Sequence, residues 1–231
     1  MKRAQGFSLI ELIVSMAMIS LVSALVFGLF RICSTVYASG NSRLTLQSEL
    51  RRISARFGLE LRHSSFYTVS VASNQVTVPV DPGMSAETVQ VRRDAVSCAA
   101  LLDPSLATSY DADGLPLWDS FTVFTCTQES PNGRLYRYQL SHAPSVLQAP
   151  RFGTGPIPIS YQVIPNAFAI PQSIRLMSKD IYRFQVNVDY ANQQVTIRLG
   201  LRGHIGRTIE GRSTADIAET IFHFKPENTW P

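Results

Sequence analysis

The chain has 231 residues, 45% of them hydrophobic and 16% charged, which is enough for a membrane-proximal helix and a globular domain with its own core. Its formal net charge is +4, but of 21 basic residues Lys2 and Arg3 lie at the extreme amino terminus; without them 19 face 17 acidic ones. A balance of +2 gives little support to nucleic-acid binding through charge alone, and three cysteines are too few for a disulfide scaffold and fit no zinc spacing.

Residues 7–30 read FSLIELIVSMAMISLVSALVFGLF and hold one formal charge, Glu11. As a helix this run is about 36 Å long at a rise of roughly 1.5 Å per residue, enough to cross a bilayer. Lys2 and Arg3 precede it, so the positive-inside preference puts the amino terminus in the cytoplasm and the rest outside. An ordinary secretory signal would have a shorter apolar core and a small-residue cleavage site after it. A plain signal anchor would leave Glu11 without a purpose. A carboxylate at membrane depth costs roughly 2.5–3.5 kcal/mol, so it marks a functional site in need of a partner.

Gly6-Phe7-Ser8-Leu9-Ile10-Glu11, after the leader MKRAQ, resembles the processing signature of type IV pilins and type II secretion pseudopilins. The resemblance implies that a membrane-embedded prepilin peptidase cuts between Gly6 and Phe7 and that Phe7 is then N-methylated. It also implies that Glu11, the fifth residue of the mature chain, pairs with the amino group of Phe7 on a neighbouring subunit. Two opposite charges in a low dielectric offset each other's desolvation when they meet. A glycine before the cut lets the backbone lie close to the catalytic groups. Many major pilins carry a proline part-way along this helix; Gly28 stands at the corresponding position here and weakens a helix by about 1 kcal/mol relative to alanine.

The helix is expected to continue past Phe30. Leu46, Leu50, Ile53, Phe57 and Leu61 form an apolar stripe on one helical face, while Arg43, Glu49, Arg51, Arg52 and Arg56 fill much of the rest. The break Ser39-Gly40-Asn41-Ser42 either bends the helix or only softens it. The basic cluster Arg51, Arg52, Arg56 and Arg62 reads as a solvated face or subunit contact, ahead of a phospholipid or nucleic-acid contact. By resemblance, a continuous helix from about 7 to 63 with its second half on a sheet is the pilin architecture.

From Tyr67 onward the pattern changes to short strands. Residues 70–80 hold two apolar runs around Ser73-Asn74, a hairpin signal, and residues 87–94 alternate apolar and polar. Runs at 120–128 and 134–141 flank Pro131-Asn132-Gly133, a clear turn, and runs at 181–190 and 193–203 flank Ala191-Asn192-Gln193. A last strand covers 219–226. Leu147 to Pro171 holds five prolines and reads as loop with one candidate strand at 159–164. The expected fold is one α+β domain, a long helix on an antiparallel sheet. The expected organisation is a leader at 1–6, a membrane-spanning assembly helix at 7–30, its continuation at 31–63 and a β-rich domain at 64–231. The order of long helix and later strands is similar to J-type minor pseudopilins of type II secretion and related W-type minor pilins.

In an exported domain Cys98 and Cys126 could form one bridge; the alternative is two buried thiols, with Cys33 free in either case. Asp103, Asp111, Asp113 and Asp119 invite a calcium reading, but the glutamate and third acidic ligand of an EF-hand loop are missing, so Asp-Gly turn chemistry is preferred. His63, His142, His204 and His223 are scattered without ligand spacing, and no nucleophile or phosphate-loop motif occurs. Gly200, Gly203, Gly206 and Gly211 sit among arginines, where a loop between the last strands is preferred to an anion site. No metal, cofactor or catalytic residue is expected. By resemblance the chain is a structural subunit of a secretion or pilus filament, made at a bacterial inner membrane with its domain in the periplasm or outside. Its expected partners are the prepilin peptidase, other pilin or pseudopilin subunits and the membrane. The alternative is a tip module that binds exported protein, DNA or a surface, with nucleic acid the less favoured ligand. An enzyme tethered by the same anchor is a third reading, for which the residues offer no candidate.

Overall fold

The computed structural model describes residues 8–80, 87–101, 105–110, 118, 120–141, 174–203 and 216–226. Helix α1 runs from Leu9 to Arg62, 54 residues and roughly 80 Å at 1.5 Å per residue. It passes without interruption through Gly28 and through Ser39-Gly40-Asn41-Ser42. Short polar side chains within it are satisfied locally. The hydroxyls of Ser15, Thr35 and Thr45 each donate to the carbonyl four residues back, at 2.7, 2.9 and 2.9 Å.

Among the described residues nine strands follow: β1 Ser70–Ala72, β2 Gln75–Pro79, β3 Thr88–Arg92, β4 Ala95–Ala100, β5 Ser120–Cys126, β6 Gly133–Ser141, β7 Arg175–Asp189, β8 Gln194–Arg202 and β9 Ile217–Phe224. Seven form one antiparallel sheet in the order β1-β4-β5-β6-β7-β8-β9, and β2 and β3 pair separately. The architecture is α+β, one long helix packed on an antiparallel sheet. The whole predicted stripe Leu46, Leu50, Ile53, Phe57 and Leu61 is buried against it. Phe57 is fully buried, its ring 4.1 Å from that of Phe124 and 5.5 Å from that of Phe184.

Several local expectations change. The two runs around Ser73-Asn74 do not pair with each other. β1 joins β4 in the large sheet and β2 joins β3 in the small one, so Ser73-Asn74 is a crossing between sheets. Asp94 makes that crossing: its carboxylate, fully buried, accepts from the backbone amides of Asn74 (3.2 Å) and Val186 (2.9 Å) and from Nη2 of Arg92 (2.6 Å). Strand β4, rich in alanine and serine, carried no β-branched signal strong enough to predict it. β7 begins six residues before the expected Ile181.

Cys98 and Cys126 are free thiols, so the expected bridge is corrected to the alternative of two buried ones. The antiparallel register sets Cys98 opposite Thr122, four positions before Cys126 on β5. At about 3.3 Å per residue that offset is roughly 13 Å along the strand, against a Cα separation below about 7 Å in a disulfide. Burial pushes each thiol up to about 12.

The predicted turn between β5 and β6 is held from inside. Arg93, fully buried, donates to the carbonyl oxygens of Tyr182, Thr127, Glu129 and Pro131. Gly133 is required there, because a Cβ would meet the Thr127 carbonyl oxygen at 2.6 Å and Cys126 Sγ at 2.8 Å. At the β7–β8 turn Gln193 has φ 50, and Asp189 accepts from the side chain and backbone amide of Asn192 and the amide of Ala191. Those hydrogen bonds, the Asn192 side chain first, hold its carboxyl below the usual range. Residues 159–164, and the whole stretch 147–171, lie outside the described residues.

Candidate functional site

The first half of α1 is exposed along its whole length. From Ser8 to Ala38 every residue is exposed, including Leu9, Ile13, Ile19, Leu25 and Phe30. An apolar surface of this extent is far larger than a soluble monomer leaves in water. The helix is long and apolar enough there to cross a membrane.

Glu11 sits one turn into this surface. Ser8 caps the helix: its Oγ accepts from the Glu11 amide at 3.3 Å, and Glu11 Oε2 accepts from the Ser8 amide at 2.9 Å. This reciprocal box satisfies two of the amides that a helix start leaves bare. Ser-x-x-Glu thus has a use within the chain as well, a capping box that its spacing also encodes. Glu11 Oε1 has no hydrogen-bond partner among the described residues, so the capped carboxylate keeps an oxygen to offer. Gly6 and Phe7 lie outside the described residues.

The second half of α1 is fastened to the sheet through Glu60. Its Oε1 accepts from Nε of Arg137 on β6 at 2.9 Å and its Oε2 from Thr122 on β5 at 3.0 Å, while Arg56 Nη2 lies 2.8 Å from Oε1. Arg43 reaches Asp216 beside β9 at 3.3 Å. The predicted basic cluster is therefore divided. Arg56 joins the Glu60 network, and Arg52 donates to the Met177 carbonyl at 3.0 Å, while Arg51 and Arg62 face solvent.

The remaining candidates are dispersed. His63 follows the helix, and His223 on β9 lies 3.1 Å from Thr196 Oγ1. His142, His204, Gly206, Gly211 and the four aspartates 103, 111, 113 and 119 lie outside the described residues. Among the described residues no three His, Cys, Asp or Glu side chains gather as a metal would require.

A helix that is apolar and exposed in its first half and clamped to an antiparallel sheet in its second defines an α+β chain with a candidate membrane span at its amino-terminal end. A family model described as the prokaryotic N-terminal methylation motif matches residues 1–27, a span that contains Gly6, Phe7 and Glu11. The match supports a place for the chain in the type IV pilin-like family, whose members are structural subunits processed by a prepilin peptidase and assembled with other pilins. No curated protein and no solved structure matches the chain.

Proposed function

We propose that the chain is a minor subunit of a type II secretion or type IV pilus-like filament and helps to start or cap it at the tip. The observation that carries the subunit reading is the unburied apolar half-helix with one capped carboxylate inside a methylation-motif span. In this reading the precursor spans the inner membrane with Lys2 and Arg3 in the cytoplasm. The peptidase cuts between Gly6 and Phe7, Phe7 is methylated, and Glu11 meets the amino group of a neighbouring subunit's first residue. Apolar helix packing then replaces lipid contact as the subunit leaves the bilayer. The length of the chain and its strand order support a minor position. Immunogold labelling is expected to mark one end of each filament, and deleting the gene to reduce filament number more than filament length. Label spread evenly along filaments would refute the tip position.

The processing step is tested separately. Gly6→Val is expected to leave the chain uncut, seen by intact-mass measurement as a product that keeps its leader, because a branched side chain obstructs the close backbone approach that glycine allows. Normal cleavage of that variant would move the cut site elsewhere.

A further inference from the structure

We propose that the groove between α1 and β7 seats an acidic peptide segment of a protein partner, its carboxylate on arginine and an adjoining apolar side chain on leucine. The groove has a volume of about 280 Å³, and Arg52, Arg56, Arg137 and Arg175 converge on it around Leu59 and Leu176. Among the described residues, two carboxylates pair with these four guanidinium groups, Glu60 and Glu49. Glu60 is taken up by Arg56 and Arg137, and Glu49 lies 3.9 Å from Arg52. Arg175 forms no ion pair among the described residues, and Arg56 Nε is buried with no hydrogen-bond partner among them. The register makes the excess sharper: Arg137 and Arg175 stand directly opposite each other on β6 and β7. Like charges so placed repel, and an anion between them relieves the repulsion.

The chemistry selects the occupant. Carboxylates match the guanidinium fork in pairs of hydrogen bonds, and Leu59 and Leu176, 55% and 49% exposed, give the neighbouring residue an apolar seat. The sequence segment that leads into β7, residues 142–173, contains no aspartate or glutamate and cannot supply the anion. Lipid headgroups of the anchoring membrane are out of reach. Arg56 lies 26 positions beyond Phe30, about 39 Å along the helix. Among the described residues the groove is lined by no aromatic residue on which a base could stack, and it is too small for a run of phosphates.

The test uses the full chain in nonionic detergent and fluorescence anisotropy with a dye-labelled peptide of alternating glutamate and leucine. The same peptide with glutamine for glutamate is the neutral control, and empty micelles set the background. Saturable binding about tenfold tighter than the control is expected, with a loss of about tenfold in the exposed double variant Arg52→Gln/Arg175→Gln. Leu176→Gln, which leaves every arginine in place, should weaken binding as well. Equal affinity for the neutral peptide, or unchanged binding by the double variant, would overturn the proposal. Tighter binding of oligothymidylate, lost in the same double variant, would replace the protein partner with nucleic acid. None of these readings depends on Glu11 or on filament formation, so failure here leaves the subunit reading intact.

Discussion

Glu11→Ala is expected to leave cleavage of the precursor intact and to reduce incorporation into filaments at least about tenfold. The carboxylate costs roughly 2.5–3.5 kcal/mol at membrane depth, so its removal makes insertion easier and cannot harm delivery to the peptidase. In the proposed assembly, what is lost is the charge that meets the neighbour's amino group in a low dielectric, where breaking one half of a pair costs several kcal/mol. The variant also loses the acceptor for the Ser8 amide. That part is measurable alone in Ser8→Ala, which removes the hydroxyl cap at about 1 kcal/mol of helix-end stability and should assemble far better than Glu11→Ala. The measurement is the ratio of subunit in sheared filaments to subunit in membranes, with cleavage followed by mass. Normal filaments from the Glu11 variant would remove the carboxylate from the assembly mechanism.

The second large effect is expected inside the domain. Phe57→Ala should destabilise the joint between helix and sheet by about 3–5 kcal/mol, the usual range for deleting a fully buried phenylalanine. The ring lies between Phe124 and Phe184, so its loss opens a cavity between the helix and the two strands that hold them. Domain stabilities are commonly about 5–15 kcal/mol, and this one change removes a large part. Near-ultraviolet circular dichroism should melt at markedly lower temperature, while far-ultraviolet helix signal from residues 9–38 in micelles persists. Loss of both signals together would mean that the bare half of the helix depends on the domain. An unshifted melt would mean that the sheet holds the helix by other contacts, the Glu60 network foremost.

The long helix and its buried face were legible because both rest on periodicity. A residue every third or fourth position must lie on one side of a helix, and Leu46 through Leu61 did. The β5–β6 and β7–β8 turns were legible through local chemistry, Asn-Gly in one and a short polar loop in the other. Pairing between distant strands was not. Whether residues 70–72 pair with 75–79 or with 95–97 depends on Asp94, twenty residues from Asn74, and no local pattern reports such a bond. The cysteine pair failed for a related reason. An exported domain permits a bridge between its cysteines, but register decides it, and register comes from the entire hydrogen-bonded ladder. At the amino terminus, the motif pointed to Glu11 through its expected neighbour. The reciprocal bond to Ser8 was equally present in the Ser-x-x-Glu spacing, but a carboxylate at membrane depth signals a partner on another chain more strongly than one three residues away.

Arg93 has a consequence for the conditions this protein can tolerate. Its guanidinium grips carbonyl oxygens of Tyr182, Thr127, Glu129 and Pro131. Arginine keeps its proton throughout the range in which proteins survive, and a peptide carbonyl has none to gain or lose there. The grip on the turn between β5 and β6 is therefore indifferent to acidity, whereas a joint made with a carboxylate is not. Acidic surroundings that would loosen the domain's ion pairs leave this corner of its sheet shut.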